Sequence, residues 1–266
     1  MECFPIIYSR TKLCDYYDDF HVSPSFIDKS ELLKCIRIAS NESKGAKNDF
    51  NSFIVFSMKN YFVLGNYFFA YSLCDTDNSL ENYCEDEVNR RIGLFCGFAA
   101  YKDEEGKLPI VSFKEYSKAY KKYIVPVWEE KNIPLVSQIP EAVNLEEEIY
   151  IPCNIKYDYA YKNCMLFGER NADETELISK NILHMAIHSD ERIAFCSKIS
   201  RISEVDRKVL THAITTSTMI TNIKYLERQI AIQQYNEAQR KKSIFQKLAE
   251  RIKKIFGRSN NNEVKK

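Results

Sequence analysis

His184 and His188 stand four residues apart in a stretch whose apolar spacing predicts a helix, so both rings fall on one face and could hold one metal ion. Asp190 and Glu191 follow at once, and Asp190 could add a carboxylate to the pair. The chemistry such a set would serve is metal-assisted hydrolysis. Met185, however, occupies the position where the metalloprotease pattern carries its glutamate base. The alternative is a helix end that gathers cationic histidines near its last carbonyls.

Other chemistries find less support. The loop from Asp75 to Glu87 has carboxylates in number, without the glycine and ligand spacing of an EF-hand. No G-x-S-x-G elbow, P-loop or dinucleotide glycine fingerprint occurs, and Cys96-Gly97 lies within an apolar strand pattern. Nine cysteines are dispersed with no C-x-x-C pair. With no basic leader followed by an apolar run, they predict reduced thiols in a cytoplasmic protein. No apolar run reaches the ~18–20 residues of a membrane span. The expectation is a protein without a cofactor and with no assignable catalytic residue, the histidine pair excepted.

A stronger signal lies in the C-terminal stretch. Residues 240–266 hold ten Lys or Arg against two Glu, a net charge of +8, while the whole chain carries +1. Ile244, Phe245, Leu248, Ile252, Ile255 and Phe256 recur every three to four residues and form one stripe. Lys241, Lys242, Lys247, Arg251, Lys253 and Lys254 supply the basic positions around it. Such a helix can dock on a partner protein, lie on an anionic membrane, or track a nucleic-acid backbone. The apolar stripe fits the first two better, because phosphate contacts alone need none.

The elements that must carry these residues can be read from pattern. Phe4–Ser9 suits a first strand. Asp28 with Glu31 predicts a capped helix to about residue 40. Residues 52–58 and 61–73, joined by Lys59-Asn60, predict a hairpin, although Gly65 and Asn66 interrupt the second run. Ile92–Tyr101 reads as another strand. Ser112 with Glu115 predicts a helix to about 124, and Asp173 with Glu176 one to about His188. Short strands are expected at 149–151, 165–167 and 192–196. The Pro-punctuated stretch near 132–150 is the candidate boundary between two halves of the body.

Together these predict an α+β fold, with α/β as the alternative: a mixed sheet with capped helices over residues 1–221. A basic amphipathic arm follows over 222–258, then a disordered tail over 259–266. Ile223, Leu226 and Ile230 have coiled-coil spacing, for one to two heptads only.

Ile7-Tyr8-Ser9-Arg10 with Asp15-Tyr16 and Pro24, Gly97-Phe98-Ala99-Ala100-Tyr101, and Tyr123-Ile124-Val125-Pro126-Val127-Trp128-Glu129 together resemble accessory proteins of bacterial anti-phage conflict systems. The resemblance covers about half the chain and brings no catalytic motif. It implies an adaptor or sensor beside a separate effector. The functional expectation is therefore an interaction module whose arm docks it to a protein or to the inner face of a membrane, with the metal-dependent hydrolase and the nucleic-acid binder as alternatives.

Overall fold

The computed structural model describes residues 1–14, 20–103, 105–130, 138–161, 163–200, 207–216, 228, 231–232 and 234–248. In chain order the elements are β1 (Glu2–Tyr8), α1 (Lys29–Glu42), β2 (Asn51–Ser57), β3 (Tyr61–Phe69), β4 (Gly93–Tyr101), β5 (Lys107–Pro109) and α2 (Phe113–Tyr123). There follow β6 (Val143–Asn144), β7 (Glu147–Ile149), β8 (Tyr159–Tyr161), β9 (Cys164–Phe167), α3 (Ala172–His188), β10 (Ile193–Ile199) and β11 (His212–Thr215).

Nine strands form one mixed sheet in the order β6-β1-β4-β3-β2-β10-β11-β9-β8, and β5 pairs with β7 as a separate ribbon. The fold is thus α+β. Strands from either side of residues 132–150 share the large sheet. The hairpin of β2 and β3 turns at Lys59-Asn60, where the Met58 amide donates to the Tyr61 carbonyl at 3.0 Å. The second strand stops at Phe69, and a short 3-10 turn takes over from Ala70 to Leu73.

β1, β4, β3, β2 and β10 run antiparallel to their neighbours, whereas β10, β11 and β9 are mutually parallel. The sheet therefore changes character at β10. The chain from β9 through α3 to β10 is a crossover that skips one position, and β11 fills it.

Alternation along β2 and β3 sorts side chains to two covered faces. Phe62, Leu64 and Phe68 share one core with Tyr116 and Tyr120 of α2 and Ile178, Ile182 and Leu183 of α3. Ile54, Phe56 and Cys196 point the other way, where α1 lies over β10 and β2. Gly65 and Gly97 are cross-strand partners, and a Cβ on either would stand 2.7 Å from the tip of the Phe95 ring. Their missing side chains make room for that ring.

Asp28 caps α1 as its spacing predicts, accepting from the Glu31 amide. Ser112 spends its hydroxyl on the Glu115 carboxylate rather than on the backbone. The cap of α3 is Asn171 in a reciprocal box with Glu174, two residues ahead of the Asp173–Glu176 expectation. Asparagine caps as well as aspartate does, and the three-residue spacing to a glutamate occurs at both places.

Two compact units divide the chain, Met1–Thr218 and Met219–Lys266. The second is helical wherever it is described, over 234–248 in particular. No helix among the described residues is long and apolar enough to cross a membrane.

Candidate functional site

The central strands are buried almost throughout, yet Asn51 and Phe53 of β2 and Asn66 of β3 remain half-exposed. They do so because the two helices on that face do not meet over them. α2 begins at Phe113 on one side, the first half of α3 runs along the other, and the Leu108–Val111 segment closes a third wall. The result is a cleft of about 710 Å³, within the size range of small-molecule sites. Its floor lies over β2, β3 and the end of β10, on the face of the sheet that α2 and α3 cover.

The floor is polar and uncharged. The Tyr116 hydroxyl donates to Asn66 Oδ1 at 2.8 Å, and Asn66 Nδ2 donates to Asn51 Oδ1 at 2.7 Å. Tyr116 is stacked between Phe68 and Phe98 and deeply buried, which pushes its phenol well above the usual range and keeps it a neutral donor. Ser197 Oγ accepts from the Phe53 amide at 2.7 Å. No acceptor among the described residues takes the Asn51 Nδ2 protons or the Ser197 hydroxyl proton.

Charge is confined to the rim and is internally matched. Lys180 bridges Glu148 at 3.1 Å and Glu176 at 3.3 Å; partial burial works against its charge, but these carboxylates outweigh that and raise its pKa. Arg170 is held by Asp158 at 2.5 Å. Lys198 contributes to the lining, but its ammonium is turned to the opposite face, 5.0 Å over the Phe50 ring that packs with Tyr67 and Phe69.

The histidine pair lies at the far end of α3. The His184 and His188 rings are 4.3 Å apart, with Tyr150 6.1 Å from His184. Burial first, and the charge of His188 second, lower the pKa of His184. Gly106, at φ +69°, lets the His188 ring sit close, since a Cβ there would stand 2.8 Å from Nε2. Asp190 exerts its charge on Lys102, whose ammonium donates to the Ser189 carbonyl at 2.5 Å. Among the described residues no group of three His, Cys, Asp or Glu side chains is arranged to hold a metal.

In the arm, Lys241, Lys242, Ile244, Phe245, Lys247 and Leu248 fall in the described helix. Ile244, Phe245 and Leu248 are 62, 71 and 52% exposed. Arg251, Ile252, Lys253, Lys254, Ile255 and Phe256 lie outside the described residues, as do 259–266.

Sequence reasoning missed the cleft. Its one local signal is Asn66, a lone amide that interrupts an apolar strand. The contribution of Asn51 and Ser197 depends on strand pairings between residues far apart in the chain. No family model, no curated protein and no solved structure matches this chain.

Proposed function

We propose that the protein is a ligand-responsive adaptor: the body binds a small molecule in the cleft, and the arm docks the body to a partner. The cleft's lining carries the reading. It offers apolar walls and hydrogen-bond donors, with no His or Cys, and its two carboxylates, Glu148 and Glu176, are both committed to Lys180. Among the described residues of the lining, Ser197, Ser179 and Thr175 therefore have no base beside them. A nucleophile without a base within reach is not activated, so the site is suited to binding a molecule and releasing it unchanged. The partner in this reading is a separate effector, as the resemblance to accessory proteins of anti-phage systems implies. The exposed Ile244, Phe245 and Leu248 among lysines are what supports docking through the arm.

The test is retention. Full-length protein is incubated with a bacterial metabolite extract, separated by ultrafiltration, and its retained small molecules are identified by mass spectrometry. The adaptor reading expects a compound recovered unaltered from the wild type and lost from Ala172→Trp, which places an indole at the cleft mouth. Recovery of a conversion product, or retention unaffected by that substitution, overturns it. A parallel flotation assay compares wild type with Ile244→Glu/Phe245→Glu on anionic vesicles. Flotation of the wild type alone assigns the arm to lipid, and its failure directs the search to an acidic protein surface.

A further inference from the structure

The character of the floor narrows what the cleft can hold. Asn66 Oδ1 is satisfied by Tyr116 and Asn51 Oδ1 by Asn66, whereas the Asn51 amide protons and the Ser197 hydroxyl proton have no acceptor among the described residues. The surplus is therefore of donors, and a ligand must bring acceptor oxygens to it. Among the described residues no cation reaches the floor to meet that ligand. Lys180 and Arg170 are engaged by carboxylates at the rim, and the Lys198 ammonium faces Phe50 on the other side of the sheet. A multiply charged head such as a phosphate ester would lose far more hydration on this floor than a neutral carbonyl would, for the same few donors. Phe53, Leu64, Leu108, Val111, Phe113 and Leu183 line the walls and call for an apolar body.

Resting on the cleft reading above, we infer that the ligand is an apolar, aromatic or acyl compound with a carbonyl head, neutral or at most singly charged. Its head oxygen sits between Asn51, Asn66 and Ser197, and its body lies against Phe53 and Phe113. Tyr116 is a positioning residue, since its hydroxyl fixes which way the Asn66 amide faces. The large volume of the cleft leaves room for a body bigger than a single ring system.

The experiment is titration calorimetry of full-length protein with three probes: 2-naphthamide, 2-naphthoate and, as a doubly charged comparison, adenosine monophosphate. Both naphthyl probes are expected to bind and the nucleotide not to. Asn66→Leu keeps the branched shape but removes the donors, and should weaken naphthamide roughly tenfold, the usual worth of lost neutral hydrogen bonds at a desolvated site. Asn51→Ala, at a half-exposed strand start, gives the same direction of change should Asn66→Leu not fold. Naphthyl binding that is unchanged in both variants overturns the inference. So does nucleotide binding that Ala172→Trp abolishes while the naphthyl probes stay silent; that result keeps the cleft as a binding site and discards only the ligand class. Absence of naphthyl binding into the low millimolar range also overturns the class. The cleft reading then stands or falls on the retention assay, which presupposes no ligand type.

Discussion

Acidification should destabilise this protein through its buried histidines, His212 above all, before its carboxylates titrate. His212 on β11 is 8% exposed, and burial lowers its pKa from 6.5 to about 4. Its neutral form is fixed by neighbours. The Thr211 hydroxyl gives its proton to the Ala194 carbonyl at 3.1 Å, so at 2.9 Å it accepts from His212 Nδ1–H, leaving Nε2 to accept from the Tyr157 hydroxyl at 3.4 Å. Protonation would place a second N–H where an acceptor is needed, and no carboxylate among the described residues pairs with the ring. Because the folded value lies below the unfolded one, the unfolded chain takes up the proton first as pH falls through 6.5. Stability drains from there until about pH 4, below which both forms are charged and nothing more is lost. The full effect of such a shift is about 3 kcal/mol, and about 2 kcal/mol of it falls between pH 7 and pH 5. Urea unfolding of wild type and His212→Gln at these two pH values isolates the contribution, since glutamine presents polar groups without titrating. Burial also lowers the pKa of His21 and His184, and those effects cancel in the comparison. The wild type should lose about 2 kcal/mol more than the variant on going to pH 5. Equal losses in the two proteins would refute the reasoning.

Two further outcomes follow from packing. Gly65→Ala should destabilise the body by about 2 kcal/mol or more, because its Cβ would stand 2.6 Å from the Cys96 carbonyl oxygen and the Gly97 Cα, which are backbone atoms and cannot swing aside. A melting temperature within a degree of wild type would contradict this. Cys74 and Cys84 are free thiols with sulfurs 3.5 Å apart, Cys84 being held protonated by burial. Diamide treatment of the folded chain should link this pair ahead of any other, as read by peptide mapping, and Cys74→Ser should abolish the link; a preferred link between other cysteines would count against the geometry.

Local patterns in the chain were legible, and long-range ones were not. The Lys59-Asn60 hairpin and the Asp28 cap are encoded within a few residues, so spacing alone finds them. The α+β class was legible for the same reason, since period-2 and period-3.6 stretches alternate along the body. The cap of α3 was misplaced because two polar residues, each three ahead of a glutamate, compete within one turn, and nothing local chooses between Asn171 and Asp173. The pairing of β2 with β10, which joins residues about 140 apart, leaves no trace in either strand. The cleft exists only once that pairing is made and α2 and α3 have landed apart, so Asn51, Asn66 and Ser197 look unremarkable in sequence. His184 and His188 show the limit from the other side: helical spacing brought the rings together, but spacing cannot say what else a fold brings near them.

The place of β11 has a consequence for how the chain is made. β9 and β10 emerge from the ribosome first, yet neither can complete its hydrogen bonds on the facing edge, because the strand that belongs between them is synthesised last. Until residue 215 is available, the nascent body carries two open parallel edges one strand-width apart, the sort of surface that captures stray strands. A messenger truncated just ahead of His212 would thus yield a product that lacks only one short strand of the body and is nonetheless sticky, and the cell's chaperones should treat it very differently from a product ending just past Thr215.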